Sequence, residues 1–445
     1  MKREIYKKLL DWKNSRDRKP LILKGARQTG KTYSLKEFGQ KEFRQVHYIN
    51  FQKDKTACDI FTGNLSPRKI LEAMQFYLET TIEKTRDIIF FDEIQDCPRA
   101  LTSLKYFCED MRELAVVSAG SLLGVTQTVE PFPVGQVNFL NLYPMSFEEF
   151  LLAVGDENVY AKLHNLRYPD TIPLVLHQRL MEKLKEYFIV GGLPEVVGTY
   201  CTYMENKSEA YLNVRKKQEE IVTAYSSDFS KYSGKVNANE IAAIFESIPA
   251  QLARENKKFK ASEAIPQGRF SRLKSPIDWL IGAGLLIKVK IINSGEIPFE
   301  AFTMDNRIKL YIFDVGILGA LAHIPPKSIY LENDFFSTYK GAFCENYVAQ
   351  EFIYSGSGQL YSWMSNTAEV EFTREIDGQV YPIEVKAGQS GKLKSLNVFA
   401  AKYPAPYRTR ISARNLEFNE QSKIHNYPLY LSYRFPLTPT SGSGE

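Results

Sequence analysis

The stretch that decides the fold is "LILKGARQTGKTYSLKEF", residues 21–38. Residues 21–23 predict a short buried strand, and the pattern after Thr32 predicts a helix. Between them the spacing is G-x-x-x-x-G-K-T. This spacing is typical of a phosphate-binding loop, whose amides surround the phosphates together with the helix N-terminus. The candidate nucleotide-binding residues are Gly25, Ala26, Arg27, Gln28, Thr29, Gly30, Lys31 and Thr32.

The chemistry of this loop predicts a role for four of its residues. Gly25 and Gly30 allow backbone conformations that a side chain would forbid. Lys31 would reach the β- and γ-phosphates, and the hydroxyl of Thr32 would bind Mg²⁺. ATP and Mg²⁺ are therefore the predicted ligands. The bare motif also occurs by chance, but the flanking strand and helix argue against chance here.

A second motif, "RDIIFFDEIQDCP" at residues 86–98, is an apolar strand that ends in Asp92 and Glu93. Such a run is typical of a central parallel strand, whose C-terminal end lies where ligands bind in open α/β sheets. Asp92 is predicted to hold Mg²⁺ through water, and Glu93 to polarise the attacking water. The alternative is that both acids only cap the following helix.

A third apolar strand, in "LAVVSAGSLLGV" at residues 114–125, runs into Ser118 and Ser121. A polar side chain at the end of such a strand is a candidate sensor of the γ-phosphate. A plain turn serine is the alternative interpretation of both residues.

Together with "YPMSFEEFL" (143–151) and "YFIVGGLPEVV" (187–197), these motifs resemble the prokaryotic AAA-type ATP-binding proteins that join a P-loop ATPase to a C-terminal domain of unknown function. The resemblance implies an ATPase domain of doubly wound α/β fold, a helical region and a C-terminal module. The sequence departs from this family at Gln136, where an arginine is usual. Loss of that positive charge is expected to weaken hydrolysis more than binding.

The middle of the chain contains a predicted helix, "ANEIAAIFESIPAQLA" (238–253), and then "RFSRLKSPIDWLIGAGLLIKVKIIN" (269–293), a helix that runs into a strand. With a turn at residues 293–296, this order resembles a winged helix, whose second helix enters the DNA major groove. Arg269, Arg272 and Lys274 are the candidate phosphate contacts. A module that only binds protein remains an open alternative.

The C-terminal region carries acids on three predicted elements. Residues 337–355 predict a helix with Glu345 off its apolar stripe, and residues 368–388 predict a hairpin around Asp377-Gly378. The candidate nuclease site, Glu345, Glu371, Glu384 and Lys386, resembles the restriction-endonuclease-like core. In such a core, carboxylates gather a hard cation and the lysine activates water.

Glu371 stands where most such enzymes have aspartate, and its extra methylene displaces the carboxylate. Three interpretations of the region therefore remain open: an active nuclease, an inactive module that retains the fold for binding, and an accidental hairpin.

Composition narrows the class of protein. The chain has 445 residues with a net charge of +5, which permits nucleic-acid contact without requiring it. Its five scattered cysteines predict neither a disulfide framework nor a zinc site. Because no run reaches the length of a signal peptide or a membrane span, we expect a cytoplasmic protein.

The predicted fold class is α/β: a P-loop AAA-type doubly wound parallel sheet, a helical and winged-helix region, and a small α/β restriction-endonuclease-like domain. The predicted boundaries are 1–155 for the ATPase, 156–235 for a helical linker or lid, 236–325 for the winged helix, 326–440 for the nuclease-like domain and 441–445 for a tail.

The predicted function is Mg-ATP binding and hydrolysis that switch or position the C-terminal half, with DNA and further copies of the chain as candidate partners. One alternative is a nucleotide-gated DNA-binding or interaction protein with little turnover. Another is an ATP-regulated, metal-dependent DNA nuclease.

Overall fold

The computed structural model describes residues 1–120, 135–233, 235–331, 339–389, 391 and 393–439. The chain folds into two compact units, one of residues 1–144 and 282–284 and the other of residues 145–281 and 285–445. The candidate sensor Ser121 and the predicted tail at 441–445 lie outside the described residues. None of the described helices combines the length and apolar character that a membrane crossing requires.

The first unit contains a five-stranded sheet in the order β2-β3-β4-β1-β5, and every neighbouring pair in it is parallel. The parallel α/β sheet predicted from the sequence is therefore confirmed. Its elements are α1 (Ile5–Asn14), β1 (Leu21–Lys24), α2 (Lys31–Glu42), β2 (Val46–Asn50), α3 (Pro67–Tyr77), β3 (Ile88–Asp92), α4 (Pro98–Asp110), β4 (Ala115–Gly120) and β5 (Asn138–Asn141).

Helices cover both faces of this sheet, which explains the unbroken apolar run in β3. Ile89 and Phe91 belong to a core cluster with residues of α3 and α4, whereas Ile88 and Phe90 belong to a second cluster with residues of α1 and α2. Because successive strand side chains point to opposite faces, a strand buried on both sides has to be apolar throughout. The first polar residue of the run, Asp92, comes where the strand ends.

The second unit begins with helices and ends in a mixed sheet. Its helices are α5 (Phe147–Ala153), α6 (Glu157–His164), α7 (Leu174–Val190), α8 (Pro194–Tyr203), α9 (Lys207–Ser233), α10 (Lys235–Leu252), α11 (Ala261–Ala264), α12 (Phe270–Gly282), α13 (Val315–Leu321), α14 (Pro326–Leu331), α15 (Lys340–Tyr354) and α16 (Lys394–Ala400). Its strands are β6 (Leu286–Ile292), β7 (Thr303–Ile312), β8 (Leu360–Met364), β9 (Glu369–Ile376), β10 (Gln379–Val385), β11 (Arg408–Ser412), β12 (Glu417–Asn419) and β13 (Ile424–Pro428).

The eight strands form one sheet in the order β12-β13-β11-β10-β9-β8-β6-β7. The pair β6 and β7, which the sequence suggests as a wing, is antiparallel, and β6 also pairs in parallel with β8. The suggested wing strands and the strands of the nuclease-like region therefore belong to the same sheet.

The predicted hairpin around Asp377-Gly378 is present between β9 and β10. Both turn residues have positive φ, 52° and 75°, as a two-residue hairpin turn of this sequence favours. The antiparallel pairing of β9 and β10 runs from Gln379 with Ile376 to Ile383 with Phe372. The regular pairing ends at this pair. Beyond it, the side chain of Glu371 in β9 accepts a hydrogen bond from the backbone N–H of Val385 in β10.

Candidate functional site

The glycine-rich loop between β1 and α2 is closely packed. A Cβ on Gly25 would lie 2.2 Å from the carbonyl oxygen of Leu142, so only glycine fits there. Gly30 has φ of 93° immediately before α2 begins. The hydroxyl of Thr29 donates to the carbonyl of Ala26 at 2.9 Å, which ties the loop to itself. The local sequence thus dictates the path of the loop, as expected of glycines at these two positions.

Lys31 lies buried inside this loop. Its Nζ donates to the carbonyl oxygens of Gly25 at 2.9 Å and of Ala26 at 2.7 Å. Burial lowers the pKa of Lys31 to about 8, although the carboxylates of Glu93 and Asp92 oppose that shift. The loop therefore holds a lysine whose positive charge is poorly solvated and would gain from an anionic ligand.

Asp92 at the end of β3 receives hydrogen bonds from three side chains. The hydroxyl of Thr32 donates to Oδ2 of Asp92 at 3.0 Å, the hydroxyl of Tyr48 at 2.8 Å and the amide of Asn50 at 3.1 Å. Tyr48 and Asn50 come from β2, where Asn50 is the parallel partner of Asp92. A hydroxyl and a carboxylate at this separation are oxygen ligands of the kind that Mg²⁺ prefers.

Glu93 follows Asp92 in the left-handed conformation, with φ of 50°. The side-chain amide of Gln95 donates to Oε2 of Glu93 at 2.6 Å. Non-glycine residues rarely adopt this backbone conformation, and they do so most often at functional sites. The carboxylate of Glu93 is thus held in one orientation beside the phosphate-binding loop.

Ser118, Gln136 and Arg27 were also singled out in the sequence of this region, and each has its own neighbours. Ser118 is buried in β4, and its hydroxyl donates to the carbonyl of Leu21 at 3.2 Å. The amide of Gln136 lies 3.4 Å from a carboxylate oxygen of Glu109. The charge of Arg27 contributes to the lowered pKa of Lys31, so Arg27 lies near the loop lysine.

Tyr48, Asn50 and Arg3 were not predicted as site residues from the sequence. Arg3 donates to the carbonyl of Thr29 at 3.1 Å and to that of Tyr143 at 2.6 Å, and so supports the loop from outside it. For Tyr48 and Asn50 a signal was available, because both are polar residues near the end of a strand that precedes β3. That signal indicates a site only once β2 is known to lie beside β3 in the sheet.

In the second unit, Glu345, Glu371, Glu384 and Lys386 form one electrostatic cluster. Nζ of Lys386 lies 2.7 Å from Oε1 of Glu384. Glu371 reaches across to β10, where its Oε2 accepts the backbone N–H of Val385 at 3.3 Å. Burial, followed by the nearby charge of Glu345, raises the pKa of Glu371 to about 8. The structure therefore places the four residues of α15, β9 and β10 near one another, but among the described residues the carboxylate oxygens of Glu345, Glu371 and Glu384 do not all lie within 4.8 Å of one another.

Three further residues join this cluster that were not predicted from the sequence. Lys257 forms an ion pair with Oε1 of Glu345, and the hydroxyl of Tyr311 donates to Oε2 of Glu345 at 3.1 Å. Lys309, which is 1% exposed, forms an ion pair with Glu369. Both oxygens of Glu345 thus already have partners within the protein, and lysines balance much of the acidic charge.

The candidate DNA-contacting residues lie at the start of α12. Arg269, Arg272 and Lys274 are all exposed. Nε of Arg272 donates to Oε1 of Glu240 in α10 at 2.7 Å. Arg272 is therefore engaged with a carboxylate that a DNA phosphate would have to replace.

Comparison with known protein families divides the chain into three parts. Residues 17–151 match the model of an AAA domain. Residues 181–328 match a domain of unknown function, DUF8612, and residues 340–430 match another, DUF4143. The N-terminal part of the chain thus has an AAA-type P-loop fold, and neither of the other two models assigns an activity. No curated protein matches the sequence.

Among solved structures, the chain is similar to the Walker-type ATPase paby2304 of Pyrococcus abyssi, with 16% identity and a TM-score of 0.45 over 72% of this chain and 95% of that one. It is also similar to the ORC1 protein of Aeropyrum pernix in complex with DNA, with 13% identity and a TM-score of 0.32 over 74% of this chain and 92% of that one. The Holliday junction branch migration motor RuvB of Thermotoga maritima has 15% identity and a TM-score of 0.32, over 64% of this chain and 89% of that one.

Proposed function

We propose that the AAA domain binds Mg-ATP and hydrolyses it. The observation that carries this proposal is the convergence of Lys31, Thr32 and Asp92, in which the Thr32 hydroxyl lies 3.0 Å from Oδ2 of Asp92. The amides of residues 25–32 would surround the phosphates, and Lys31 would exchange its two loop carbonyls for phosphate oxygens. Mg²⁺ would lie between Thr32, Asp92 and the phosphates and neutralise the charge that develops on them.

Glu93 is the proposed general base for the attacking water. Its carboxylate is oriented by Gln95, and its position directly after Asp92 keeps it beside the proposed metal. Ser118 and Ser121 remain candidate sensors of the γ-phosphate. The hydroxyl of Ser118 would have to leave the carbonyl of Leu21 to serve that role.

ATP binding is tested by titrating the full-length protein with a fluorescent ATP analogue. Lys31→Ala should abolish measurable binding, because it removes the only lysine that the loop buries among the described residues. Lys41→Ala is the matched control, since Lys41 lies on the same helix but is paired on the surface with Glu37. Equal affinity of the two variants would contradict the proposal.

A second activity is favoured by the acidic cluster of the C-terminal region. We infer that Glu345, Glu371 and Glu384 bind a divalent cation and that Lys386 orients water for phosphodiester cleavage. The supporting observation is that one oxygen of Glu384, Oε2, is buried without a hydrogen-bond partner among the described residues. A hard cation is the kind of ligand that such an oxygen lacks.

The charges of the cluster oppose metal binding, which keeps the inactive binding module open as the alternative. Lys257 occupies one oxygen of Glu345, and the raised pKa of Glu371 favours its protonated form near neutral pH. Incubation with supercoiled DNA and Mg²⁺ or Mn²⁺, with and without ATP, separates the two. An active nuclease cleaves, and Lys386→Ala removes the cleavage. Intact DNA under all conditions favours the binding module.

DNA binding through α12 is a further part of the proposal. Arg269 and Lys274 are exposed at the start of the helix and available to phosphates. Affinity for duplex DNA should fall steeply with salt, and Lys274→Ala should reduce the slope by about one. A flat salt response would rule out this contact and favour a module that binds protein.

These activities would be coupled if ATP binds one conformation of the chain more tightly than another. We retain the domain boundaries given above, a cytoplasmic location and assembly with further copies as parts of the same proposal. The competing scheme is a nucleotide-gated binding protein with little turnover, in which the glutamate at position 93 matters little.

A further inference from the structure

Arg410 in β11 occupies an unusual position beside the acidic cluster. In the parallel pairing of β10 with β11, Arg410 is the direct partner of Glu384. On its other side, in the pairing of β11 with β13, it is the partner of Asn426. Because directly paired residues of neighbouring strands project to the same face of a sheet, these three side chains form a row across the sheet.

Several polar atoms of this row lack partners, although Nδ2 of Asn426 donates to Glu417 at 3.0 Å. Arg410 is 8% exposed, and its Nε and Nη1 are buried without a hydrogen bond to any described residue. Oε2 of Glu384 and Oδ1 of Asn426 are buried and unpaired in the same part of the structure. Buried polar groups in native proteins nearly always have partners, and an unpaired buried guanidinium is especially costly. The row is therefore incomplete without a ligand.

Arg410 is not neutralised by its acidic neighbour. Nζ of Lys386 takes Oε1 of Glu384, and Arg410 forms no ion pair within the described part of the chain. Burial, followed by the charge of Arg414, lowers the pKa of Arg410, whereas the charges of Glu384 and Glu417 oppose that shift. This corner of the sheet thus carries three basic side chains, of which Arg410 is the buried one. Its two unpaired N–H groups lack acceptors, which an anion would supply.

The chemistry of the row selects the kind of anion. A guanidinium presents a planar set of N–H donors that matches the oxygens of a phosphate or a carboxylate. The adjacent unpaired oxygen of Glu384 favours the phosphate, because a divalent cation held by a carboxylate also binds phosphate oxygens. A carboxylate ligand would offer that cation less charge.

We propose that Arg410 binds a backbone phosphate of a nucleic-acid ligand and holds it next to Glu384. This inference rests on the proposed nucleic-acid function of the C-terminal region and adds a phosphate-binding residue to it. Arg410 fixes the phosphate, whereas the acids and Lys386 would carry out the chemistry.

The test measures binding of a short duplex oligonucleotide to the full-length protein by fluorescence anisotropy, in Mg²⁺ and over a range of salt concentrations. Arg410→Gln should weaken binding roughly tenfold or more and reduce the salt slope by about one. Arg408→Gln is the matched control. Arg408 lies on the same strand but is already hydrogen-bonded to Asn397 and to the carbonyl of Ser422.

Thermal unfolding separates a ligand-binding role from a structural one. Because Nε and Nη1 of Arg410 are buried without partners among the described residues, Arg410→Gln should leave the melting temperature of the free protein unchanged or raise it. Inorganic phosphate should stabilise the wild type but not this variant. A marked drop in melting temperature for Arg410→Gln, together with unchanged oligonucleotide affinity, would overturn the inference.

The outcome is distinguishable from failure of the proposed nuclease. If the duplex binds and is cleaved equally well by Arg410→Gln, the phosphate role is wrong while the nuclease stands. If Arg410→Gln weakens binding but no DNA is cleaved, the phosphate role stands without the nuclease. Stabilisation by inorganic phosphate with no affinity for the duplex would contradict the nucleic-acid ligand.

Discussion

Replacing Tyr48 by phenylalanine removes a hydrogen bond to the carboxylate that we propose receives Mg²⁺. The hydroxyl of Tyr48 donates to Oδ2 of Asp92 at 2.8 Å, and the same oxygen accepts from Thr32 and Asn50. Phenylalanine keeps the ring and its contact with Phe90, whose centroid lies 5.2 Å away. The variant therefore loses the hydroxyl, which donates to Asp92 and also accepts from the side-chain amide of Asn50 at 3.2 Å.

The size of the effect follows from this geometry. A hydrogen bond to a charged acceptor contributes about 1.5–3 kcal/mol. Because two other donors remain on Oδ2 and Tyr48 is only partly buried, we take the lower end, about 1.5 kcal/mol, which is roughly tenfold in an equilibrium constant. The bond orients the carboxylate before metal arrives, so affinity for Mg-ATP should fall about tenfold and affinity for metal-free ATP less than twofold.

The assay is a titration with a fluorescent ATP analogue at several Mg²⁺ concentrations and in EDTA. Tyr6→Phe is the control, because Tyr6 also donates to a carboxylate, that of Glu42 at 2.6 Å, but belongs to α1. We expect this control to match the wild type. Equal losses with and without Mg²⁺ for Tyr48→Phe, or no loss in either condition, would refute the assignment of Asp92 to the metal.

Further predictions concern the second unit. Gly192→Ala should destabilise the protein by about 3 kcal/mol or more, because the new Cβ would lie 2.1 Å from the carbonyl oxygen of Met145. Thermal unfolding measures this loss. Gly388→Ala is the control, because a Cβ at that position would meet no atom within 4 Å. Burial raises the pKa of the Asp314 carboxyl group from 3.8 to about 6. Between these pH values the folded state keeps the proton that the unfolded state loses, so the free energy of unfolding should fall by about 3 kcal/mol as pH rises from about 4 to about 6. Asp314→Asn should flatten this part of the stability profile in chemical unfolding, and an unchanged slope would contradict the assignment. Lys257→Met should strengthen binding of Mn²⁺ to the acidic cluster, because it frees one oxygen of Glu345. Calorimetry measures this binding, and Lys258→Met, at the next position and half-buried like Lys257, is the control.

The contacts of the proposed nucleotide site were largely predictable because their signal is local. The phosphate-binding loop and Asp92 each follow directly from a short stretch, and parallel pairing brings Thr32 within reach of the acid. The partners Tyr48 and Asn50 were not predicted, since nothing in β2 alone says that it lies beside β3. Strand order is a property of the whole sheet, and it decides which polar side chains share an edge.

In the C-terminal cluster, too, the residues of one short segment were predictable, whereas their partners from distant segments were not. The hairpin around Asp377-Gly378 follows from alternation and turn chemistry, and it carries Glu371 and Glu384 to one place. The lysines that balance these acids come from β7 and from the segment after α10, far away in sequence. No pattern in residues 368–388 predicts those lysines, so the charge of the cluster could only be read from the fold.

The extra methylene of Glu371 also has a structural consequence that sequence reasoning left open. Its longer side chain reaches the backbone N–H of Val385 at 3.3 Å, where the regular pairing of β9 and β10 has ended. The Glu371 side chain thus accepts a backbone hydrogen bond at a position where β9 supplies no paired residue. Replacement by aspartate would shorten that reach.

The most direct test of the central claim is phosphate release at saturating Mg-ATP by the wild type and by Glu93→Gln, with ATP binding measured in parallel. We predict that Glu93→Gln binds ATP within about threefold of the wild type and releases phosphate at least about 100-fold more slowly, because the variant keeps the binding loop but loses the base. Unchanged phosphate release by Glu93→Gln, or no release by the wild type itself, would contradict the account.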